Sequence, residues 1–448
     1  MGSLWDRETG ALIGVPAFRC FALSRACTAT ASNLFQAALL WQVYAISGSP
    51  VDLGIVGLVR FVPIIALSLV AGAAADTYDR RRVLLLAQLA PFLGAVALLY
   101  AIASNALSLP VLYAMSFVAG AAIAFDGPAR QGIIPMLVPR RLFRSAIVAN
   151  QTVQASTSVM GPALAGVLIA WRGAEVAFAV YAALMAAAMV ALVPIRVNAS
   201  PEASARRGAL SLRTMFEGLA FLKQRRVLLG IMTLDLLAVI FGGARALLPV
   251  YAVDVLHAGA TGYGILSAAS EVGSLLCALA LLVLPKPSQT GRAMLITVSA
   301  YGIATVLFGL STSLPLAVLF YAATGVADQV SVVMRHTSIQ LSTPDELRGR
   351  VTAVNSIFTN SSVQIGAMES GFVAGLSNAV FSVVSGGAAV LLVVGVLAWL
   401  IPELRTFRAQ PAPVQPLQKR TELRPALDQS PKVYGPPVRW GRRRDSLH

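Results

Sequence analysis

Long apolar stretches follow one another along most of this chain, and they limit its fold more than any other feature. A helix of about 20 apolar residues is long enough to cross the roughly 30 Å of hydrocarbon in a bilayer. Of the 448 residues, 57% are hydrophobic and 12% are charged. That charge is about half of what a soluble protein uses to cover its surface. The sequence therefore predicts an all-α integral membrane protein.

Twelve stretches reach this length when the chain is divided at glycines, prolines, asparagines and clusters of charge. The predicted spans are residues 17–46, 51–75, 83–103, 108–126, 146–170, 173–194, 227–253, 261–284, 293–311, 314–336, 350–374 and 377–401. Because the number of spans is even, both ends of the chain are expected on the same side of the membrane.

Lysines and arginines are distributed unevenly between these spans. The joints after even-numbered spans are basic, as in Arg80–Arg82, whereas the joints after odd-numbered spans contain no basic residue except Arg172. Short loops rich in lysine and arginine remain in the cytoplasm. We therefore expect a multi-pass membrane protein with both termini cytoplasmic. The same pattern accounts for the formal charge of +15, so lipid rather than nucleic acid is the expected partner.

A weak internal repeat indicates how the spans are grouped. Shifting the sequence by 205 positions aligns Arg130 with Arg335 and Gly161 with Gly366. The two residues of each aligned pair lie six spans apart, which is typical of a duplicated six-span unit. We predict twelve transmembrane helices in two six-helix pseudo-repeat halves. The predicted segments are an N-terminal half at 1–195, a cytoplasmic linker at 196–226, a C-terminal half at 227–402 and a disordered basic cytoplasmic tail at 403–448.

Cysteine and histidine are too rare and too scattered for a metal site or a catalytic nucleophile. The three cysteines stand at 20, 27 and 277, and the three histidines stand at 257, 336 and 448. No pair of them has a metal-ligand spacing, and no glycine-rich ATP-binding loop is present. We therefore predict no enzyme activity, no metal and no cofactor.

Several ionisable residues are predicted to lie inside spans, where a charge costs at least a few kcal/mol and must face protein or water. A carboxyl group in such a place is suited to loading and releasing a proton. The proton-coupling candidates are Asp235, Glu271, Asp328 and Glu369. Among these, Glu271 and Asp235 are preferred because of their depth. The alternative is that the acids only pair with arginines in other spans and hold the bundle together.

Polar residues in the first span recur at helical spacing. Arg25, Thr28, Ser32 and Gln36 fall on one helical face, with Asn33 at its border. A stripe of this kind facing lipid would leave polar groups unsatisfied, so it should face a central cavity. The predicted substrate-cavity residues are Arg25, Thr28, Ser32, Asn33, Gln36, Arg60 and Arg245. Hydrogen bonding between helices is the alternative role for such a stripe.

The joint between spans 2 and 3 reads Gly72-Ala-Ala-Ala-Asp76-Thr-Tyr-Asp79-Arg80-Arg81-Arg82. Gly72 permits close helix approach, and Asp76 can pair with Arg80 or accept hydrogen bonds from helix N-terminal amides. This segment resembles the corresponding loop of the major facilitator superfamily, although Thr77 and Asp79 replace the usual base and second glycine.

Four further segments are similar to the drug and siderophore exporter branch of that superfamily, which includes bacterial enterobactin exporters. They are Ser47–Pro50, Phe125–Gln131, Glu346–Val351 and Glu369–Gly371. The resemblance extends from about residue 17 to residue 402. It implies a location in the bacterial inner membrane and a gating role for the motif residues Gly72, Asp76, Arg80 and Arg81. An ordinary basic loop that sets topology is the alternative interpretation of that motif.

These observations together predict a secondary active transporter that works by alternating access. The leading hypothesis is efflux of a small amphipathic molecule, a siderophore, drug or metabolite, in exchange for protons, with the protein acting as a monomer. Two other hypotheses stay open. One is a nutrient importer on the same fold, and the other is a membrane protein without transport activity, either a receptor or an embedded enzyme.

Overall fold

The computed structural model describes residues 11, 12, 14–195, 219–283 and 289–408. Most of the predicted linker, from 196 to 218, lies outside the described residues, and so does the predicted tail from 409 onward.

Every long segment in the described part of the chain is helical, which confirms the all-α membrane class. The helices are α1 (Pro16–Ser47), α2 (Pro50–Thr77), α3 (Arg80–Ala103), α4 (Leu109–Leu137), α5 (Phe143–Arg172), α6 (Ala174–Leu192), α7 (Arg226–Gly242), α8 (Gly259–Val283), α9 (Thr290–Gly309), α10 (Leu314–Ser342), α11 (Asp345–Leu376) and α12 (Ala379–Leu400). Helices α1 and α2 begin at prolines, whose missing N–H and fixed φ suit the first helical turn.

Ten of the described helical segments are long and apolar enough to cross a membrane. The two long helices that miss this criterion are α1 and α11, each of 32 residues. The polar stripe of α1 lowers its mean hydropathy, and α11 carries a comparable set of polar residues that includes Asn360 and Gln364. The predicted number of spans is therefore matched by the long helices, ten of which also qualify by composition.

The fourth span differs from its prediction. It was expected to end at residue 126. Helix α4 instead continues through Asp126, Pro128 and Pro135 to Leu137. Prolines are tolerated inside membrane helices because neighbouring groups can satisfy the freed carbonyls. Asp126 thus lies in a helix and points into the bundle, where its charge finds partners.

The seventh span is broken rather than continuous. Helix α7 ends at Gly242, a 3-10 turn follows at Ala244–Leu247, and a π-helical turn occupies Tyr251–Val255. The adjacent Gly243 and the later Pro249 make a regular helix unfavourable here. Irregular backbone at membrane depth is tolerated where it lines a cavity, and Arg245 projects from this break.

Helix packing joins the first six and the last six helices mainly through α2 with α11 and α5 with α8. Gly54 in α2 lies against Met368 and Gly371 in α11, and a Cβ on Gly54 would be 3.1 Å from the Met368 carbonyl oxygen. Gly166 in α5 and Gly264 in α8 lie so close that a Cβ on either would overlap the other backbone. Small residues at such crossings allow the backbones to touch.

These contacts all lie toward one end of the bundle, which we call the closed end; it carries the joint Gly48–Ser49. A single large cluster of buried apolar residues fills this end and combines Phe35 and Tyr181 with Tyr263 and Phe308. At the opposite end, called the basic end because it carries Arg80–Arg82, the buried residues form separate clusters. One is built from residues 12–195 and two from residues 222–404. The helices are therefore packed together at the closed end and separated at the basic end.

Candidate functional site: a central cavity

A central cavity of about 1560 Å³ lies between the helices. Gln131, Phe143 and Gly349 line it toward the basic end, and Leu40 and Leu53 line it beside the closed end. Because the apolar cluster of the closed end lies behind these leucines, the cavity is reached from the basic end.

The structure places every predicted cavity residue on this surface. The residues are Arg25, Thr28, Ser32, Asn33, Gln36, Arg60 and Arg245. The α1 members share a face because residues three or four positions apart lie above one another on a helix. The remaining surface of α1 packs on α5 and α6, which leaves the polar stripe toward the cavity.

Thr28 is the centre of a buried polar network on the N-terminal side of the cavity. Its hydroxyl accepts hydrogen bonds from Arg130 at 2.9 Å and from Gln88 at 3.2 Å. Arg130 in turn pairs with Asp126 at 2.7 Å, and Arg25 lies 3.6 Å from the same carboxylate. Gln88 was not predicted. A single glutamine inside the apolar third span is the signal that could have identified it.

Two of the predicted acids on the C-terminal side are held in ion pairs. Asp235 contacts Arg335 directly and accepts a hydrogen bond from Ser331 at 3.1 Å. Both partners of that pair are buried, with 4% and 3% of their surfaces exposed. Glu271 lies 3.3 Å from Arg245, and both of these side chains are partly exposed to the cavity.

The other two predicted acids differ from these and from each other. Asp328 lines the cavity, and within the described part of the chain no basic group pairs with it. Glu369 lies outside the cavity lining, near the contact of α2 with α11, and its buried Oε2 has no hydrogen-bond partner among the described residues.

The motif residues lie at the basic end, away from the cavity. Arg80 donates hydrogen bonds to the carbonyl oxygens of Ala75 at 3.0 Å and of Gly132 in α4 at 2.6 Å. Arg81 donates to the Val193 carbonyl at 2.5 Å. The arginines thus tie the joint between α2 and α3 to the ends of α4 and α6.

The remaining residues of this joint do not tie it to other helices in the described structure. Asp79, which departs from the family pattern, caps α3 by accepting a hydrogen bond from the Arg81 amide at 2.8 Å. No described atom lies within 4 Å of where a Cβ on Gly72 would be, so the expected close helix approach is not present in this conformation. The side chain of Asp76 lies outside what the structure describes.

A bundle of membrane helices around a polar cavity, packed together at one end and separated at the other, is the architecture of a secondary transporter. These features define a multi-pass membrane transporter. The chain matches the major facilitator family described as Transmembrane secretion effector over residues 11–430, and it belongs to that family.

Curated relatives of this chain include exporters of a siderophore. The enterobactin exporter EntS of Escherichia coli O81 is 28% identical over 404 residues, which cover 89% of this chain and 95% of the relative. The enterobactin exporter EntS of Citrobacter koseri is 28% identical over 407 residues with the same coverage.

Solved structures share the fold at low sequence identity. The nucleoside transporter NupG is 15% identical with a TM-score of 0.64, covering 88% of this chain and 100% of its own. A bacterial homolog of the human lysosomal transporter Spinster, solved in an inward-facing and unoccupied conformation, is 16% identical with a TM-score of 0.62, covering 89% of this chain and 99% of its own.

Proposed function

We propose that this protein is an inner-membrane exporter that moves a small amphipathic molecule out of the cytoplasm in exchange for protons, acting as a monomer. The cavity, closed at one end and reached from the basic end, carries this proposal. Basic loops remain in the cytoplasm, so the cavity faces the compartment from which an exporter loads. The relatives named as enterobactin exporters support the same direction.

Transport would proceed by rocking of two halves, residues 1–195 and 227–402, around the cavity. Glycines meet where α2 contacts α11 and where α5 contacts α8, so few side chains have to disengage when these helices separate. The hydrogen bonds of Tyr44 to Asp254 and of Tyr263 to the Ala37 carbonyl oxygen would have to break as well. Opening of the closed end and approach of the separate clusters of the two halves at the basic end would then expose the cavity to the outside.

The motif at the basic end would stabilise one of these two states. Arg80 and Arg81 hold the joint between α2 and α3 against the ends of α4 and α6, so the first six helices can move as a unit. Asp76, which the family motif shares, would complete this lock together with Gly72. Arg80→Lys removes the two-donor geometry and is expected to lower transport while leaving expression near normal.

Asp328 is the leading candidate for the proton carrier, followed by Glu271. An acid without a basic partner can bind and release a proton without breaking an ion pair, and Asp328 is in that position within the cavity. Glu271 is second because its partner Arg245 is partly exposed. Asp235 and Arg335 are buried together, so a structural role is favoured for that pair, and Glu369 lies away from the cavity.

The first experiment identifies the cargo and its direction. Culture media of cells with and without the protein are compared for exported compounds, and the enriched compound is then offered to inside-out membrane vesicles with an acidic interior. We expect uphill accumulation in these vesicles that stops when the pH gradient is collapsed. Uphill uptake into intact cells would instead establish an importer, and absence of any transported compound would leave a receptor.

The same vesicles test proton coupling. Asp328→Asn is expected to lower uphill accumulation at least about tenfold. Exchange of labelled for unlabelled cargo should continue, because exchange needs no proton release. The matched control is Asp52→Asn, since Asp52 bonds Tyr113 at 2.6 Å outside the cavity. Normal uphill transport by Asp328→Asn and by Glu271→Gln would exclude both acids as proton carriers.

A further inference from the structure

Arg60 occupies an unusual position among the charged residues of the bundle. It lies at the end of the third turn of α2. Only 6% of its surface is exposed, and it lines the central cavity. Its backbone is fixed, because the Arg60 carbonyl packs against Gly120 of α4, where a Cβ would be only 2.6 Å away. This close packing of α2 on α4 opposes a shift of the helix that would carry the guanidinium group to the bilayer surface.

Each of the other cavity arginines has a carboxylate beside it. Arg25 lies beside Asp126, Arg245 beside Glu271, and Arg335 beside Asp235. For Arg60, the described residues supply no acid, and its Nε and Nη1 atoms have no hydrogen-bond partner. The ionisable groups that act on it are Tyr181 and Arg245, and neither carries a negative charge at neutral pH.

A buried guanidinium group with no counter-charge is unfavourable unless something else supplies the negative charge. Its planar set of donors matches the two oxygens of a carboxylate or a similar oxyanion. Beside it, the cavity wall contains the stacked rings of Phe35 and Tyr181, whose centroids are 4.6 Å apart, and the apolar Leu53. One cation next to an apolar and aromatic wall fits a molecule that has an acidic group on an apolar body.

We propose that Arg60 binds an acidic group of the transported molecule, so that the cargo class is amphipathic organic anions. This inference rests on the proposed function and makes it more specific. The pairs Arg245–Glu271 and Arg335–Asp235 neutralise themselves, and Arg25 shares Asp126 with Arg130. Among the described arginines that line the cavity, Arg60 is therefore the one without a carboxylate beside it.

Binding to the purified full-length protein in detergent tests the proposal, with 2-naphthoate as the anionic probe and 2-naphthamide as its neutral counterpart. Wild type is expected to bind the acid at least about tenfold more tightly than the amide, as a charge-assisted bond to a buried guanidinium group would give. Arg60→Gln should bind both equally, and Arg60→Lys should keep part of the preference. Arg172→Gln is the surface control, because Arg172 stacks on Trp171 at the end of α5.

Equal binding of acid and amide to wild type, or a preference that survives in a folded Arg60→Gln variant, would overturn the proposal. A preference that millimolar chloride abolishes would assign Arg60 to an inorganic anion instead. If neither probe binds, the charge of the compounds that intact cells export decides whether the cargo is anionic. Anionic compounds lost in Arg60→Gln cells support the proposal, and neutral or cationic ones contradict it. Absence of any exported compound would refute the exporter function itself.

Discussion

Arg130 and Arg335 are aligned by the internal repeat, and both are buried against a carboxylate, but their partners differ. Arg130 pairs with Asp126 four residues earlier on its own helix, whereas Arg335 pairs with Asp235 on α7. The first pair can be predicted from sequence because residues at this spacing are neighbours on a helix. The second cannot, since it depends on which helices pack together. The sequence thus predicts that buried charges need partners but not which ones they find.

The pair of Asp235 with Arg335 is expected to stabilise the fold rather than to move protons. Arg335→Gln leaves the buried Asp235 uncompensated, which should cost about 3–5 kcal/mol of unfolding free energy. The midpoint of thermal unfolding in detergent should fall clearly below that of the surface control Arg140→Gln. The double variant Asp235→Asn with Arg335→Gln should recover part of the loss, because it leaves no lone charge. Unchanged unfolding of the single variant would show that the pair is not structural.

At the level of helices, apolar length and the polar stripe were sufficient to locate the spans. They could not predict where helices end or break. The fourth span was predicted to end at residue 126, yet α4 continues through Pro128 and Pro135. Conversely, α7 breaks at Gly243 inside an apolar run. Tertiary contacts decide both cases, because neighbouring helices or a cavity can satisfy backbone groups that local sequence leaves free. The contact of Gly166 with Gly264 is a further feature that only the packed helices reveal.

That contact of α5 with α8 gives a prediction about the closed end. Gly166→Ala places a methyl group into the Gly264 backbone, and overpacking of this kind typically costs about 1–3 kcal/mol. In the proposed rocking mechanism this contact belongs to only one transport state, so the variant should shift the protein toward the state that is open to the outside. Leu53→Cys, buried beside the closed end, should then react several-fold faster with a membrane-impermeant thiol reagent added outside.

The matched control for Gly166→Ala is Gly395→Ala in α12, where no described atom lies within 4 Å of the added methyl group. Equal labelling rates of Leu53→Cys in both backgrounds would show that the glycine contact does not hold the closed end together.

For the whole molecule, apolar length predicted the membrane class and the family resemblance predicted the transporter architecture, and both are confirmed. The orientation, which rests on the basic joints, stays a prediction. The conformational state was beyond reach of the sequence, because both states of an alternating-access transporter use the same helices and the same amphipathic faces. The structure shows one state, with the large apolar cluster at the closed end and separate clusters at the basic end. The cavity faces the cytoplasm only if the basic end is cytoplasmic. The side of the membrane on which the basic end lies can be measured directly.

Orientation can be measured by cysteine labelling in intact cells, after the native Cys20, Cys27 and Cys277 have been replaced by alanine. Single cysteines at the exposed positions 104, 172 and 257 should react with an impermeant reagent added outside, because they lie in joints that lack a cluster of basic residues. Arg140→Cys, equally exposed but at the basic end, should react only after the membrane is permeabilised. The reverse pattern would turn the cavity toward the outside and convert the loading side of the proposed exporter into its release side.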